Sequence, residues 1–297
     1  MDCAPLSLGD KKLFDGFLRR QTHTLSVYAF ENVYIWKGLY EISWAVIEDN
    51  LCVFFKDAQG TFLYFPPLGE RTKPKAIESV FTFMETCNRY GLVSRIENTE
   101  EEAVNFFRGL GYSVADKFGD YLCSRKKLAE LKGGAFKSQR ASVNFFLKNY
   151  HGEFCEFRLN DAQECLALYG AWARRKKEAS AGSVYTGMLE DSRSCLGVLC
   201  DDWKDLSFVG RVVRIGGRIK GFTFGYRVSA DIFCIAFEIT DLSVKGLAQY
   251  MFRQFCAELK EYSYINIMDD SGQDNLKKVK LSYHPDRIVP AYIISNQ

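Results

Sequence analysis

A charged side chain inside an apolar run is a natural place to look for chemistry, because an unpaired buried charge is costly unless a partner or a raised pKa relieves it. Glu238 stands in such a run, residues 233–239, and Asp241 follows it in the segment FEITDL. A second acidic pair, Asp269 and Asp270, closes the segment YINIMDD. Carboxylates placed around one crevice act as a general base, or hold the ammonium group of an acceptor or of an aminoacyl donor. Helix capping and turn closure are the alternative uses of Asp241, Asp269 and Asp270, since Asp at strand ends serves there often. Lys245, Gly246, Leu247 and Ala248 lie where a strand gives way to a helix. A small-residue turn of that kind exposes backbone N–H groups at a positive helix end, suited to pyrophosphate or carboxylate, and a plain turn is the alternative. Residues 125–150 hold seven Lys/Arg against one Glu. On a helix, Lys137 and Lys148 share one polar face with Arg140 close by, fit either to hold nucleotide or tRNA phosphates or to face solvent. His284, between Tyr283 and Pro285, is a turn residue or a base.

Positioning these groups requires a framework, and the hydrophobic periodicity supplies one. An amphipathic helix over 10–20 precedes three expected strands, 40–48, 51–56 and 61–65, and the pair Pro66-Pro67 ends that meander. A helix over 75–90, a strand at 92–96, a helix opened by Asn98 or Thr99 and a strand at 121–124 follow. The second half repeats the order. A helix over 137–150, a strand at 153–158 and helices over 162–177 and 187–199 lead into strands 207–215, 218–228 and 232–240. Gly216-Gly217 joins the first two of these strands, a pair suited to positive φ. A helix over 245–259, a strand at 264–268, a helix over 275–283 and a strand at 287–294 complete the pattern. The expectation is an α/β (α+β) protein with mixed sheets, divided into two tandem domains, 1–127 and 128–297, with the active crevice placed in the second, more cationic half. This order of elements is similar to the GNAT acyltransferase fold.

Composition narrows the function classes. The 297 residues are 47% hydrophobic and 26% charged, with a net charge of +2, which excludes a disordered chain and gives no overall charge excess for coating nucleic acid. The longest apolar runs fall well short of the roughly 20 residues of a membrane helix, and the start of the chain has no charged segment followed by an apolar core. A cytoplasmic location is expected, with peripheral attachment to the membrane as an alternative. Ten scattered cysteines without C-x-x-C spacing read as reduced core residues, and three widely separated histidines give a metal site little support.

Several segments carry a more specific signal: FEITDLSVKGLAQY, YINIMDD, DNLKKVKLSYHP, LKGGAFKSQRASVNFFLKNY and YFPPLG. Together they resemble the uncharacterised family related to the C-terminal domain of phosphatidylglycerol lysyltransferases, over nearly the whole chain and most specifically in its last part. That family is similar in fold to tandem GNAT proteins, including the Fem peptidoglycan aminoacyltransferases, whose basic helix Lys137 and Arg140 would match. The resemblance implies transfer of an aminoacyl group from aminoacyl-tRNA to a hydroxyl or amine acceptor, with no tightly bound cofactor; a lipid, a wall precursor and a small molecule are the acceptor classes expected. It places Glu238, Asp241, Gly246, Asn266, Asp269, Asp270, Lys277, Lys280 and Tyr283 at its motif positions. Glu238 or Asp241 would aid deprotonation, and Lys280 or backbone N–H groups would stabilise the oxyanion. The membrane-spanning part of the full lysyltransferases lies outside the resemblance, so a lipid acceptor is not carried over by it. Gly246 and Ala248 also match the acetyltransferase loop pattern, with Ser243 departing from its first position. An acyl-CoA-dependent N-acyltransferase is therefore one alternative, and a non-catalytic tRNA-binding or ligand-binding protein another.

Overall fold

The computed structural model describes residues 1–179 and 182–296. They form two compact units, Met1–Asp120 with Asp269–Gln273 and Ile288–Gln297, and Tyr121–Met268 with Asp274–Arg287.

In the first unit, β1 (Ala4–Pro5), α1 (Lys11–Leu18) and α2 (Phe30–Ile35) precede the meander β2 (Glu41–Ile47), β3 (Asn50–Lys56) and β4 (Thr61–Leu63). Asp57 Oδ1 accepts the N–H groups of Gln59 and Gly60 at 2.8 and 3.1 Å, which closes the turn between β3 and β4. Next come α3 (Pro74–Cys87), β5 (Arg95–Glu100), α4 (Glu101–Gly109) and β6 (Ser113–Ser124), whose residues 121–124 belong to the second unit. β4 runs parallel to β5, Leu63 opposite Ile96, and β12 (Arg287–Ser295) adds antiparallel to β5 with Ala291 opposite Glu100. Phe54, Ile77, Phe81, Met84, Phe107 and Ile294 fill the core between sheet and helices.

In the second unit, α5 (Arg125–Glu130), α6 (Lys137–Asn149), β7 (Gly152–Glu156), α7 (Ala162–Ala179) and α8 (Ser183–Asp201) precede β8 (Val209–Ile215), β9 (Arg218–Arg227) and β10 (Ile232–Thr240). Gly216 and Gly217, at φ +59° and +78°, make the tight β8–β9 connection expected of that pair. Then follow α9 (Leu247–Glu258), β11 (Tyr264–Asn266) and α10 (Asp274–Leu281). β7 to β10 are antiparallel neighbours, β11 runs parallel to β10, and β11 pairs antiparallel with the end of β6, Ile265 opposite Cys123. The apolar face of α9, with Leu247, Met251 and Phe255 fully buried, covers this sheet together with Phe146 of α6. Each such side chain contributes roughly 1.5–3 kcal/mol by burial.

The α/β class with mixed sheets is as the sequence pattern indicates. In the helix over 137–150, Val143 and Phe146 are buried, while Leu147 is 54% exposed. All ten cysteines are free thiols, and among the described residues no helix is long and apolar enough to cross a membrane.

Candidate functional site

Parallel strands β10 and β11 are hydrogen-bonded neighbours only from Ile232–Tyr264 to Cys234–Asn266. Beyond that rung β10 continues to Thr240 against β9, while the chain after Asn266 keeps pairing with Tyr121, so the two strands part. Glu238 lies on the stretch of β10 that has left β11. A bulge precedes it. The register against β9 shifts between Ile235 and Phe237, leaving Ala236 as the extra residue. Strict alternation from Ile235 would aim Glu238 away from α9. With the bulge, Glu238 stands opposite Thr223, two positions from Gly225, the partner of Ile235. It therefore shares the face of Ile235, which packs in the core cluster of α9.

On that face Glu238 keeps some solvent access, yet desolvation pushes its carboxyl from 4.5 up to about 8, with the Lys280 ammonium pulling the other way. Neighbouring groups complete a titratable cluster. Tyr283 is buried with its ring 4.3 Å from that of Phe252. Burial, then the charges of Glu238 and Cys256, holds its hydroxyl well above 10. The Cys256 thiol is likewise held well above 9 by burial and Glu238, and burial pushes Cys123 to about 12. Such thiols stay protonated and are poor nucleophiles. Lys280 donates to the carbonyls of Ile267 and Met268, the latter at 3.2 Å, which fixes α10 against the end of β11. Fully buried Asn266 accepts the Met268 N–H at 2.7 Å and shapes the same bend. Thr223, beside Glu238, keeps a buried hydroxyl without a hydrogen-bond partner among the described residues. An orphan of that kind costs about 1–3 kcal/mol, so its place beside the carboxyl ties it to the site. Thr223, Cys123 and Cys256 were not among the sequence candidates. The signal for Thr223 was its being the one Ser or Thr in GFTFGYR.

The other candidates fall elsewhere. Asp241 accepts the Ser243 N–H and hydroxyl at 3.0 and 2.6 Å, pairs with Lys220 at 2.9 Å and lies 3.8 Å from Arg175. Burial opposes its charge, but the bonds from Ser243 and Lys220 outweigh it and hold the carboxyl at about 2. A carboxylate that weakly basic closes a turn; the expected role as a base does not fit. Asp241→Asn is expected to cost about 1 kcal/mol of stability in a denaturant titration and to leave transfer within a few-fold. A hundred-fold loss of transfer would return Asp241 to the chemistry. Asp269 accepts from the Ser271 N–H at 2.6 Å and Asp270 from the Gly272 N–H at 2.9 Å, both as turn residues in the segment 269–273 of the first unit. Lys277 is exposed on α10, and His284 is exposed with Nε2 3.0 Å from the Ala135 carbonyl.

The expected anion cradle at α9 has a different occupation. Gly246 has φ +84°, and a Cβ there would stand 2.1 Å from the Ser142 carbonyl oxygen of α6. Its lack of a side chain lets two helices approach, which accounts for the glycine without a ligand. Gly246→Ala is expected to destabilise the protein by about 3 kcal/mol, read from the denaturation midpoint. A change below about 0.5 kcal/mol would contradict this packing role. Lys245 is exposed, its Nζ 4.8 Å from the centre of the Phe145 ring, and Ala248 is half-buried in the first turn of α9. Arg140 donates to the carbonyls of Leu131 and Gly133, clamping the α5–α6 connection, while Lys137 and Lys148 face solvent on α6. Among the described residues no group of three His, Cys, Asp or Glu side chains is placed to hold a metal ion.

Residues 19–295 match the family described as phosphatidylglycerol lysyltransferase, C-terminal. No curated protein matches the chain. A conserved protein of unknown function from Bacteroides thetaiotaomicron is similar over 100% of both chains, at 23% identity and a TM-score of 0.89. L-PGS from Bacillus licheniformis is similar over 97% of this chain and 92% of its own, at 16% identity and a TM-score of 0.67. FemX is similar over 98% of this chain and 97% of its own, at 9% identity and a TM-score of 0.63. GNAT-family structures, one of them a tandem GNAT protein, share the fold.

Proposed function

The chain belongs to the phosphatidylglycerol lysyltransferase C-terminal family, and from that premise we propose that it is an aminoacyltransferase that uses the Glu238 cluster of the second unit. The donor is an aminoacyl-tRNA ester and the acceptor is a hydroxyl or amine on a lipid, a wall precursor or a small molecule. In the reaction the acceptor oxygen or nitrogen attacks the ester carbonyl carbon, and the bond from that carbon to the ribose oxygen breaks. The acceptor loses a proton and the departing ribose hydroxyl gains one.

One observation carries the reading: Glu238 has a carboxyl near pKa 8, close to Lys280, on a strand that has parted from its parallel neighbour. Such a group holds its proton at neutral pH and can give it to the leaving ribose oxygen. The acceptor's proton then restores it, so one residue serves both transfers. Lys280, anchored by two carbonyls, supplies positive charge for the tetrahedral oxyanion. Asn266 shapes the bend that carries the chain away from β10, and neither thiol is called upon as a nucleophile.

Transfer from acyl-CoA is the second reading, favoured by the GNAT-family likeness alone. The packing of Gly246 against α6 weakens it, because the loop glycine already has a structural task. The two readings separate by ligand protection in thermal unfolding. A hydrolysis-resistant 3′-aminoacylamide of adenosine is expected to raise the midpoint saturably, with acetyl-CoA leaving it unchanged. Saturable protection by acetyl-CoA and none by the aminoacyl analogue would reverse the assignment.

A further inference from the structure

A second feature of the same unit lies at the other end of β10 and β11. There the end of β6, the start of α5 and the segment leading into β11 enclose a groove of about 420 Å³. Four cations line it, Arg125, Lys126, Lys127 and Lys260, against the carboxylates of Glu261 and Asp286. Asp286 is engaged with Lys127. Arg125 donates through Nε to the Tyr262 carbonyl at 3.2 Å, which holds its guanidinium at the groove. Lys126 and Lys260 are exposed. Tyr264, 37% exposed, presents an aromatic ring among these cations.

The groove is remote from Glu238. Tyr264 pairs with Ile232, and Glu238 lies six residues further along β10, about 20 Å at 3.3 Å per residue. A small donor bound at Glu238 would not reach it, whereas a polymer would. Cations interleaved with an exposed aromatic ring suit a phosphodiester chain with unpaired bases, the cations on the phosphates and the ring stacked on a base.

We propose that this groove binds the phosphate backbone of an RNA strand at a distance from the reacting ester. The assignment rests on the tRNA-dependent reading above, and it gives that donor a second point of attachment. Arg125, Lys126 and Lys260 hold phosphates, and Tyr264 stacks on a base.

The test uses the full chain and a fluorescently labelled tRNA transcript, with anisotropy followed from 50 to 200 mM potassium chloride. The double variant Lys126→Glu, Lys260→Glu alters exposed side chains only, and its circular dichroism checks that it folds. Its Kd is expected to rise ten-fold or more near 0.1 M salt, and the slope of log affinity against log salt to become shallower by about 2. Tyr264→Ala is expected to weaken binding about ten-fold with little change in slope. Glu238→Gln should bind the transcript as the parent does. Unchanged affinity and slope in the double variant, with Glu238-dependent transfer intact, would overturn the groove assignment alone. Failure of the parent protein to bind the transcript at all would overturn the donor reading with it. A variant that keeps RNA affinity but no longer floats with phosphatidylglycerol vesicles would assign the groove to a membrane surface instead.

Discussion

Glu238→Gln is expected to lower kcat/KM for aminoacyl transfer by roughly 10² to 10⁴, with tRNA affinity unchanged. The amide preserves size and polarity but holds no exchangeable acidic proton, so the leaving ribose oxygen must take its proton from water. That loss amounts to about 3–5 kcal/mol of barrier. It separates proton transfer from packing, because the side chain stays in the space the β10 bulge provides. In the parent protein, the rate against pH should fall as pH rises through about 8, the value at which the carboxyl gives up its proton. In Glu238→Gln that limb should vanish. A variant retaining more than a third of parental activity, or retaining the limb, would exclude Glu238 as the proton carrier.

Stability should carry the same signature with the opposite consequence for the variant. A carboxyl at about 8 in the folded chain, against an ordinary 4.5, binds more protons folded than unfolded between those values. Stability therefore falls as pH rises through that window: the favourable contribution is complete below about 4.5 and gone above about 8. At ~1.4 kcal/mol per pH unit the loss attributable to Glu238 reaches up to about 5 kcal/mol. Glu238→Gln removes the titration, so the variant should gain on the parent progressively from pH 5 to pH 9 in urea unfolding. Parallel curves for the two proteins over that range would show that the carboxyl titrates normally.

Much of the framework was legible in the sequence because it is local. Periodicity and Gly216-Gly217 set strands and turns through their own side chains and φ preferences. Glu238 was legible for a related reason, since a lone charge in an apolar strand announces an altered pKa or a partner. What the sequence withheld is long-range. The bulge at Ala236 that turns Glu238 toward α9 appears only in the register with β9, and Thr223 gains meaning only as its cross-strand neighbour. Asp241 reads identically as a base or as a turn residue until Lys220 and Arg175 close around it. Gly246 matched a phosphate-loop pattern, while the cause of the glycine is a carbonyl of α6, distant in the chain. Arg140 read as a phosphate ligand, yet its guanidinium is engaged by carbonyls at the end of α5, where Leu131 takes φ +50°. The addition of β12 to β5 likewise depends on a pairing that no local pattern encodes.

Transfer itself is the reaction to measure. Purified protein is incubated with a pool of tRNAs charged with radiolabelled amino acids, together with cell lipids, soluble wall precursors and small amines. The products are then separated by class. Label is expected to move from tRNA into one acceptor class with the parent protein, and to stay on tRNA with Glu238→Gln. Folded protein and intact charged tRNA with no movement of label, or equal movement with Glu238→Gln, would contradict transfer through Glu238.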